Sequence, residues 1–479
     1  MTDGSEAGAP ADERAGHLAR ARAAHERGEL DAAEADYLAV LASGSEEPRA
    51  LNGLGIVSEE RGDRAAAARW FERALIAAPD AVPVLLNLGA LRHEQGDLDA
   101  AQRHYARALA IDGDALAPLL NLGRLLFDRG RIADAEPVLR RAAGIAPGDP
   151  LAQRALGMVL FELQRFAESL AYFERVRALA PRDGRAAFDV ARALDALGRP
   201  DEAIAALRES LAIEPRSVAA REQLALQLEA AGRAGEARAL LADWLVLEPA
   251  HPVAAHLLAA LGGAPAPERA SSAYVRATFD RFAADFDVTL ARLQYRAPQL
   301  VADAVAAHAG EPAGALDALD AGCGTGLLAP LLRPWARWLL GLDLSGAMLE
   351  RARARGGYDA LVRAELATFL EGCGAAFDLI AVADTLCYFG SLERPLAASA
   401  RALRPRALLV FTLERLEEAA ADAPHRLHTH GRYAHAGRYV DDVLRSAGLM
   451  ALGRERVTLR LERGTPVGGW LVVARAQGA

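Results

Sequence analysis

The chain of 479 residues contains no lysine, and all 55 of its basic side chains are arginine. This excludes a Schiff base to pyridoxal phosphate and the phosphate-loop lysine. Only three cysteines occur, Cys323, Cys373 and Cys387, and their spacing matches neither a metal site nor a disulfide framework. No apolar stretch approaches the length of a membrane span. The first 16 residues are small, polar and acidic, unlike a signal or transit peptide, so we expect a soluble, cytoplasmic protein.

Basic charge is also too scarce for nucleic-acid binding. The net charge is −9 at pH 7 and the isoelectric point is near 5.8. A nucleic-acid-binding domain usually carries a basic patch or stripe and a high isoelectric point. We therefore expect no nucleic-acid partner.

The first half of the chain repeats with a period of 34 residues. The repeated position is glycine in six units and glutamine in one: Gly28, Gly62, Gly96, Gly130, Gln164, Gly198 and Gly232. A small residue follows five positions later and a larger one four positions after that, as in Ala67 and Phe71. This pattern resembles the tetratricopeptide repeat, a helix–turn–helix unit whose small residues lie where two helices approach.

That resemblance implies an all-α solenoid of seven repeats with a capping helix over residues 13–262, after a disordered tail at 1–12. Stacked repeats present a concave surface, so we expect the array to dock a protein or peptide partner. A spacer or an oligomerisation scaffold is the alternative, and the repeat pattern does not identify a partner. The glycines and prolines that follow predict a linker at 263–272, before a second domain at 273–479.

The second half contains a glycine-rich turn between two predicted strands. A short apolar strand closes on Asp320 and is followed by Gly322, Gly324 and Gly326. The next apolar run ends on Asp343. Alternating glycines let a ligand lie against main-chain N–H groups, and an acid at the tip of the second strand suits a ribose diol.

Together these residues resemble the class I S-adenosylmethionine-dependent methyltransferases, and the whole chain resembles bacterial methyltransferases with an N-terminal tetratricopeptide array. The resemblance implies an α/β Rossmann-like domain with a seven-stranded, mostly parallel sheet and S-adenosyl-L-methionine as cofactor. The implied activity is methyl transfer to a small-molecule or carrier-bound acceptor, with the repeats docking a partner. Two alternatives stay open: a protein methyltransferase whose repeat groove holds the target, and an inert cofactor-binding scaffold.

The same resemblance assigns the cofactor-binding positions. They are Asp320, Gly322, Gly324, Gly326, Asp343, Leu344, Glu365, Leu366, Asp384, Tyr295 and Phe282. Asp320 would hold the α-ammonium and Asp343 the ribose, while Glu365 would accept a hydrogen bond from the adenine amino group. Glu365 could instead be a surface residue. Phe282 could simply pack its helix, and the Tyr295 hydroxyl could reach the cofactor carboxylate or solvent.

Four of the eleven histidines cluster at 425–435, after the fifth predicted strand. Zinc is one interpretation, but no carboxylate or cysteine completes a recognisable pattern, so we predict no metal. We favour a substrate-side loop in which His435 or His430 takes a proton from a hydroxyl acceptor. Asp384, at the end of the fourth predicted strand, would line the site or orient the acceptor. A polar loop without a chemical role is the alternative.

Overall fold

A computed structural model describes residues 9–42, 44, 46–417, 423–462 and 464–477, with side chains from residue 12 onward. The predicted tail at 1–12 lies outside the described residues as far as residue 8, and from Ala9 the chain is helical. Asp12 lies in the first turn of this helix, where an acid interacts favourably with the helix dipole. Two compact units divide the chain, Met1–Pro215 and Arg216–Ala479. Within the described ranges, no helix is long and apolar enough to cross a membrane.

The first unit, as far as it is described, consists of helices that pack in consecutive pairs. They are α1 (Ala9–Glu26), α2 (Leu30–Ala42), α3 (Pro48–Glu60), α4 (Arg64–Ala77), α5 (Val82–Glu94), α6 (Leu98–Ile111), α7 (Leu116–Asp128), α8 (Ile132–Ile145), α9 (Pro150–Glu162), α10 (Phe166–Leu179), α11 (Gly184–Ala196) and α12 (Pro200–Ile213). This is the predicted repeat architecture.

The small and large residues of the repeat do fit into one another. A Cβ built on Gly55 would lie 2.3 Å from the ring of Phe71, so only glycine lets the two helices approach this closely. The recurrent turn glycine adopts a left-handed backbone, with φ of 81° at Gly62. Gln164 takes the same place with φ of 60°, which costs a non-glycine residue about 1–2 kcal/mol.

The second unit begins with three helices of the predicted repeat and cap, followed by an α/β domain. Its helices are α13 (Val218–Ala230), α14 (Ala234–Leu247), α15 (Pro252–Ala260), α16 (Ser272–Phe282), α17 (Phe286–Arg292), α18 (Ala297–His308), α19 (Ala329–Leu332), α20 (Gly346–Arg355), α21 (Leu366–Glu371), α22 (Glu393–Ala402) and α23 (Gly437–Ser446). A 3-10 helix spans Leu386–Tyr388. Its strands are β1 (Leu316–Ala321), β2 (Ala336–Asp343), β3 (Ala360–Arg363), β4 (Phe377–Val382), β5 (Leu403–Arg415), β6 (His425–Leu427), β7 (Tyr433–His435), β8 (Leu449–Glu462) and β9 (Thr465–Ala476).

The boundary between the units does not coincide with the predicted linker. Trp244 in α14, Leu257 in α15 and Tyr274 in α16 belong to one buried apolar cluster. The members of this cluster lie both before and after residues 263–272. The last predicted repeat and the cap therefore share a core with the α/β domain. The glycines and prolines of this segment predict a linker, but they carry no information about which side chains on its two sides pack together.

Strands β1 to β5 are parallel and lie in the order β3-β2-β1-β4-β5. β9 pairs antiparallel with both β5 and β8, and strands β8 and β9 complete the predicted seven-stranded, mostly parallel sheet. The sequence interpretation missed the short hairpin β6–β7, which joins the end of β5 through β7 and makes nine strands. Three-residue strands are too short to show an alternating pattern, so 425–435 was predicted as a loop.

Apolar side chains cover both faces of the sheet. Along β4, Ile380 and Val382 join the cluster on one face, and Leu379 and Ala381 join the cluster on the other. A parallel strand that is buried on both faces needs such a continuous apolar run. The carboxyl ends of β1, β2 and β4 therefore meet at one edge of a rigid sheet, where the predicted acids lie.

Candidate active site

A cavity that opens to solvent lies at this edge of the sheet. Nine of the expected cofactor-binding residues line it: Asp320, Gly322, Gly324, Asp343, Leu344, Glu365, Leu366, Asp384 and Tyr295. Gly326, Phe282, His430 and His435 are not part of its wall. Open α/β sheets bind ligands in such a crevice at the carboxyl ends of their strands.

The glycine turn combines a tight backbone with open space. Gly322 has φ of 83°, and a Cβ there would lie 2.0 Å from Oγ1 of Thr385, so this position requires glycine. A Cβ on Gly324 would meet nothing nearer than the Phe286 ring at 3.7 Å, which means that Gly324 faces the cavity. The turn thus leaves room for a ligand directly against the main chain.

Asp343, at the end of β2, holds the glycine turn in place. Its Oδ2 accepts the N–H of Gly324 at 2.9 Å and its Oδ1 accepts the N–H of Ser345 at 2.8 Å. Burial raises the pKa of Asp343, and these N–H groups oppose the shift. A carboxylate accepts about four hydrogen bonds, so Asp343 keeps acceptor capacity on the cavity side.

Asp320, at the end of β1, is almost completely buried, with 1% of its surface exposed. The hydroxyl of Tyr358 donates to its Oδ2 at 2.6 Å. Burial raises the pKa of Asp320 to about 7, the hydroxyl of Tyr358 opposes the shift, and the nearby charge of Asp343 adds to it. A carboxylate in this state favours a cationic ligand, since a positive charge would compensate its burial. No motif in the sequence pointed to Tyr358 as a partner of Asp320.

Gly326 packs the turn against a helix and does not touch the cavity. Its φ is 87°, and a Cβ there would lie 3.1 Å from the Tyr358 ring and 3.4 Å from Cα of Ala352 in α20. The spacing of the three glycines correctly indicated a tight turn. It could not separate the glycines that face a ligand from the one that faces the protein.

Glu365, two residues after the end of β3, caps helix α21. Its Oε1 accepts the N–H of Ala367 at 3.2 Å, and its Oε2 accepts the N–H and the hydroxyl of Thr368 at 2.9 and 2.6 Å. Nη1 of Arg269 lies 2.9 Å from Oε1. Burial alone would raise the pKa of Glu365, but these partners outweigh it and lower the pKa.

The predicted linker forms part of the cavity wall through Arg269 and Ala270. The carbonyl of Glu268 accepts the N–H of Gly390 at 2.8 Å, and Ala270 donates its N–H to the carbonyl of Tyr388, also at 2.8 Å. The linker therefore runs along the loop that follows β4. Sequence reasoning missed it because main-chain pairing over such a separation leaves no local pattern.

The aromatic segment before the sheet reaches the cavity through Phe279 and Phe286, with Tyr388 from the opposite loop. The Phe279 ring meets Phe286 edge-on at 5.9 Å and Tyr388 edge-on at 5.5 Å. Phe282 is 43% exposed and lies outside the wall. It is the last residue of α16, about one turn after Phe279. The resemblance assigned the cofactor contact to Phe282, whereas the cavity wall contains Phe279 and Phe286.

A cluster of charged residues closes the other end of the cavity. Arg460 contacts Asp384 at 3.1 Å (Nη1 to Oδ2) and Glu462 at 2.8 Å (Nε to Oε1), and it also pairs with Glu414. Arg432 lies 2.8 Å from Glu414 and also pairs with Glu462. Burial alone would raise the pKa of Glu414, but the two arginines lower it to about 2.

Asp384 has one oxygen free within this cluster. Its backbone is left-handed, with φ of 56°, and its N–H donates to Oγ1 of Thr412 at 2.8 Å. Oδ2 faces Arg460, whereas Oδ1 is buried without a hydrogen-bond partner among the described residues. Burial raises the pKa of Asp384 and the arginines oppose the shift. A buried, unpaired carboxylate oxygen beside a cavity is suited to a ligand that donates a hydrogen bond.

Neither predicted histidine base reaches the cavity wall. His435 is completely buried, and its Nε2 lies 2.8 Å from the carbonyl oxygen of Phe389. His430 stacks on His428 at 5.4 Å, and its Nε2 is 3.5 Å from Oε2 of Glu414. Burial lowers the pKa of both His435 and His430 to about 4. His435 belongs to the hairpin β6–β7, whose pairing turns it beneath the loop after β4.

Comparisons with known proteins match both halves of the chain. A family described as methyltransferase domain matches residues 319–411, which include the second half of β1, all of β2 to β4 and most of β5. Families described as tetratricopeptide repeat match 18–82, 92–159, 150–215 and 191–255. Methyltransferase-like protein 27 of Homo sapiens is 48% identical over 85 residues, which are 17% of this chain. The match spans about a third of that relative's length, 34%.

Several solved structures resemble part of the chain. A crystal structure of MamA is 22% identical, with a TM-score of 0.33, covering 35% of this chain and 92% of that one. YrrB, described as a TPR protein with an unusual peptide-binding site, is 18% identical, with a TM-score of 0.34, covering 38% and 95%. PilF of Pseudomonas aeruginosa is 16% identical, with a TM-score of 0.42, covering 45% and 99%.

Proposed function

The chain joins tetratricopeptide repeats to a methyltransferase domain. We propose that it binds S-adenosyl-L-methionine and methylates a small-molecule or carrier-bound acceptor. The observation that carries the proposal is the open space in front of Gly324, beside the buried carboxylate of Asp320 and the half-buried carboxylate of Asp343. A nucleoside that bears a cationic amino acid matches this arrangement, because one carboxylate can accept from ribose hydroxyls and the other can neutralise an ammonium group.

The residues present fit that cofactor. Asp343 would accept hydrogen bonds from the ribose, Asp320 would face the α-ammonium, and Leu344 and Leu366 offer an apolar slot for the base. When bound, the cofactor supplies a methyl group on a positively charged sulfur, which is already an activated donor. The protein's own contribution is then to position the acceptor and to exclude water. The edge-packed rings of Phe279 and Tyr388 suit the second task.

Asp384 is the residue we assign to the acceptor. Arg460 fixes Oδ2, which leaves the buried Oδ1 to accept a hydrogen bond from an acceptor hydroxyl or amine and to take its proton. We do not retain His435 or His430 as the base, because both lie away from the cavity and are held by other groups. Tyr295 lines the same end of the cavity and remains a candidate contact of the cofactor or acceptor.

Titration calorimetry tests cofactor binding. Wild-type protein should bind S-adenosylmethionine and S-adenosylhomocysteine, and Asp343→Ala should weaken both by at least tenfold. Asp303→Ala, which changes an exposed acid of α18, is the matched control and should bind like wild type. If the wild-type protein retained neither ligand, the proposed activity would be refuted.

A labelling experiment identifies the acceptor class. A cell lysate is incubated with the protein and a radiolabelled methyl donor, and proteins are separated from small molecules. Label in the small-molecule or carrier fraction supports the proposal, and label on a protein favours an enzyme whose repeats hold its target. No label, despite cofactor binding, favours the inert scaffold. Asp384→Asn should bind S-adenosylhomocysteine normally but transfer at least tenfold less label.

A further inference from the structure

The carboxylate of Glu365 has no acceptor site to spare. It accepts the N–H of Ala367 and both the N–H and the hydroxyl of Thr368, and it contacts Nη1 of Arg269. A carboxylate provides about four acceptor positions, so these four donors fill it. The position expected to accept from an adenine amino group is therefore occupied by the protein itself.

Arg269 has donors to spare at the same place. Its guanidinium carries five N–H groups, of which Glu365 engages one, and no other side chain within the described ranges pairs with it. The side chain lies in the cavity wall and is 37% exposed. Glu365 fixes the guanidinium at the end of the cavity that Leu344, Ala364 and Leu366 line.

A planar guanidinium recognises a purine in two ways. It can stack on the face of the ring, or it can donate hydrogen bonds to the ring nitrogens. Neither contact uses the exocyclic amino group. Main-chain hydrogen bonds of Glu268 and Ala270 to the loop after β4 hold the backbone of Arg269, so the side chain is presented from a fixed segment.

We infer that Arg269 recognises the base of the cofactor, with Glu365 positioning its guanidinium, and that the adenine amino group is not read by an acid. This inference rests on the proposed binding of S-adenosylmethionine. It assigns a binding role to a residue of the segment that joins the repeats to the catalytic domain. It also predicts that the site tolerates loss of the 6-amino group of adenine, which a carboxylate that accepts a hydrogen bond from this group would not allow.

The probes are S-adenosylhomocysteine and its 6-deamino analogue, in which hydrogen replaces the amino group and the ring nitrogens are unchanged. Titration calorimetry with the full-length wild-type protein should give dissociation constants within about threefold of each other. A tenfold or larger preference for S-adenosylhomocysteine overturns the inference, since an amino-reading acid would be left unpaired by the analogue. Failure to bind either probe refutes the proposed function itself, which separates the two failures.

Variants distinguish recognition from a structural role. Arg269→Gln should weaken both probes by at least tenfold, and Arg269→Lys should not restore them, because lysine lacks the planar fork. Glu365→Gln should weaken both probes equally. Arg276→Gln changes an exposed arginine of α16 and should bind like wild type. An unchanged affinity in Arg269→Gln, or a loss confined to S-adenosylhomocysteine in Glu365→Gln, contradicts the assignment.

Discussion

Nε2 of His256 lies 2.8 Å from the carbonyl oxygen of Gly431, although 175 positions separate them in the sequence. The His256 ring also stacks on Tyr274 at a centroid distance of 3.9 Å. His256 belongs to α15, the predicted cap of the repeats, and Gly431 precedes Arg432 of the cavity wall. The cap therefore supports a loop of the candidate active site, and the α/β domain is not an independent module appended to a linker.

Replacing His256 with phenylalanine should destabilise the second unit while keeping the stacked ring. The substitution leaves the buried carbonyl of Gly431 without its donor, which costs about 1–3 kcal/mol. Urea unfolding followed by tryptophan fluorescence reports mainly on this unit, because four of the five tryptophans lie in it. His428→Phe, in the same loop but without this hydrogen bond, is the control. Equal unfolding free energies for both variants would mean that the contact adds nothing.

Short sequence patterns predicted those parts of the site that consecutive residues form. The glycine turn at Gly322 and Gly324 and the acid at the end of each strand follow from short-range geometry, so spacing alone predicted them. His435 and Phe282 were chosen for their chemistry, but tertiary pairing and the helix face decide where such side chains point. Arg269 could not be predicted, since its partner Glu365 caps α21 almost a hundred positions away, and only the folded domain brings the two side chains together.

The two cavity-side glycines should fail in different ways when changed to alanine. Gly322→Ala would place a methyl group 2.0 Å from Oγ1 of Thr385, so we expect a strongly lowered melting temperature. Gly324→Ala meets no such contact and should cost about 1–2 kcal/mol for its left-handed backbone. Its methyl group would fill ligand space, so S-adenosylhomocysteine should bind at least tenfold more weakly to a folded protein. Normal affinity in Gly324→Ala would contradict our account of the cavity.

Arg460 should be essential for stability because it is the shared partner of buried carboxylates. Arg460→Met leaves Glu414 and Asp384 without their common cation, and breaking a buried pair in this way costs about 3–5 kcal/mol. Arg445→Met removes an exposed arginine that pairs with Asp442 and should cost no more than about 1 kcal/mol.

Adding Glu414→Gln to Arg460→Met should recover part of the loss. Arg432 still pairs with Glu414 and Glu462 in Arg460→Met, but the cluster then holds more carboxylates than arginines, and the second change removes one excess negative charge. Urea denaturation of Arg460→Met, Glu414→Gln and the double variant gives the three unfolding free energies to compare with that of the wild type. If the loss of unfolding free energy in the double variant equalled the sum of the losses in the two single variants, the two residues would not be coupled.

Asp320 should make stability and ligand affinity respond to pH in opposite directions. Its pKa is raised from 3.8 to about 7 in the folded protein, so the folded state holds a proton that the unfolded state has released. The contribution of Asp320 to stability is therefore complete below pH 3.8 and is lost as the pH rises to about 7. Binding an ammonium group needs the ionised carboxylate, so affinity for S-adenosylhomocysteine should rise over the same interval.

Calorimetry at pH 6, 7 and 8 should show affinity that increases up to tenfold per unit below the pKa and levels off above it. Asp320→Asn cannot titrate, so its weaker affinity should be flat across this range, while Asp303→Asn should follow wild type. Urea unfolding at the same pH values should show the Asp320 contribution as the difference between wild type and Asp320→Asn, falling as the pH rises. A wild-type affinity as flat as that of Asp320→Asn would mean that this carboxylate does not face the cationic end of the ligand, because a buried acid cannot neutralise a bound charge without first losing its proton.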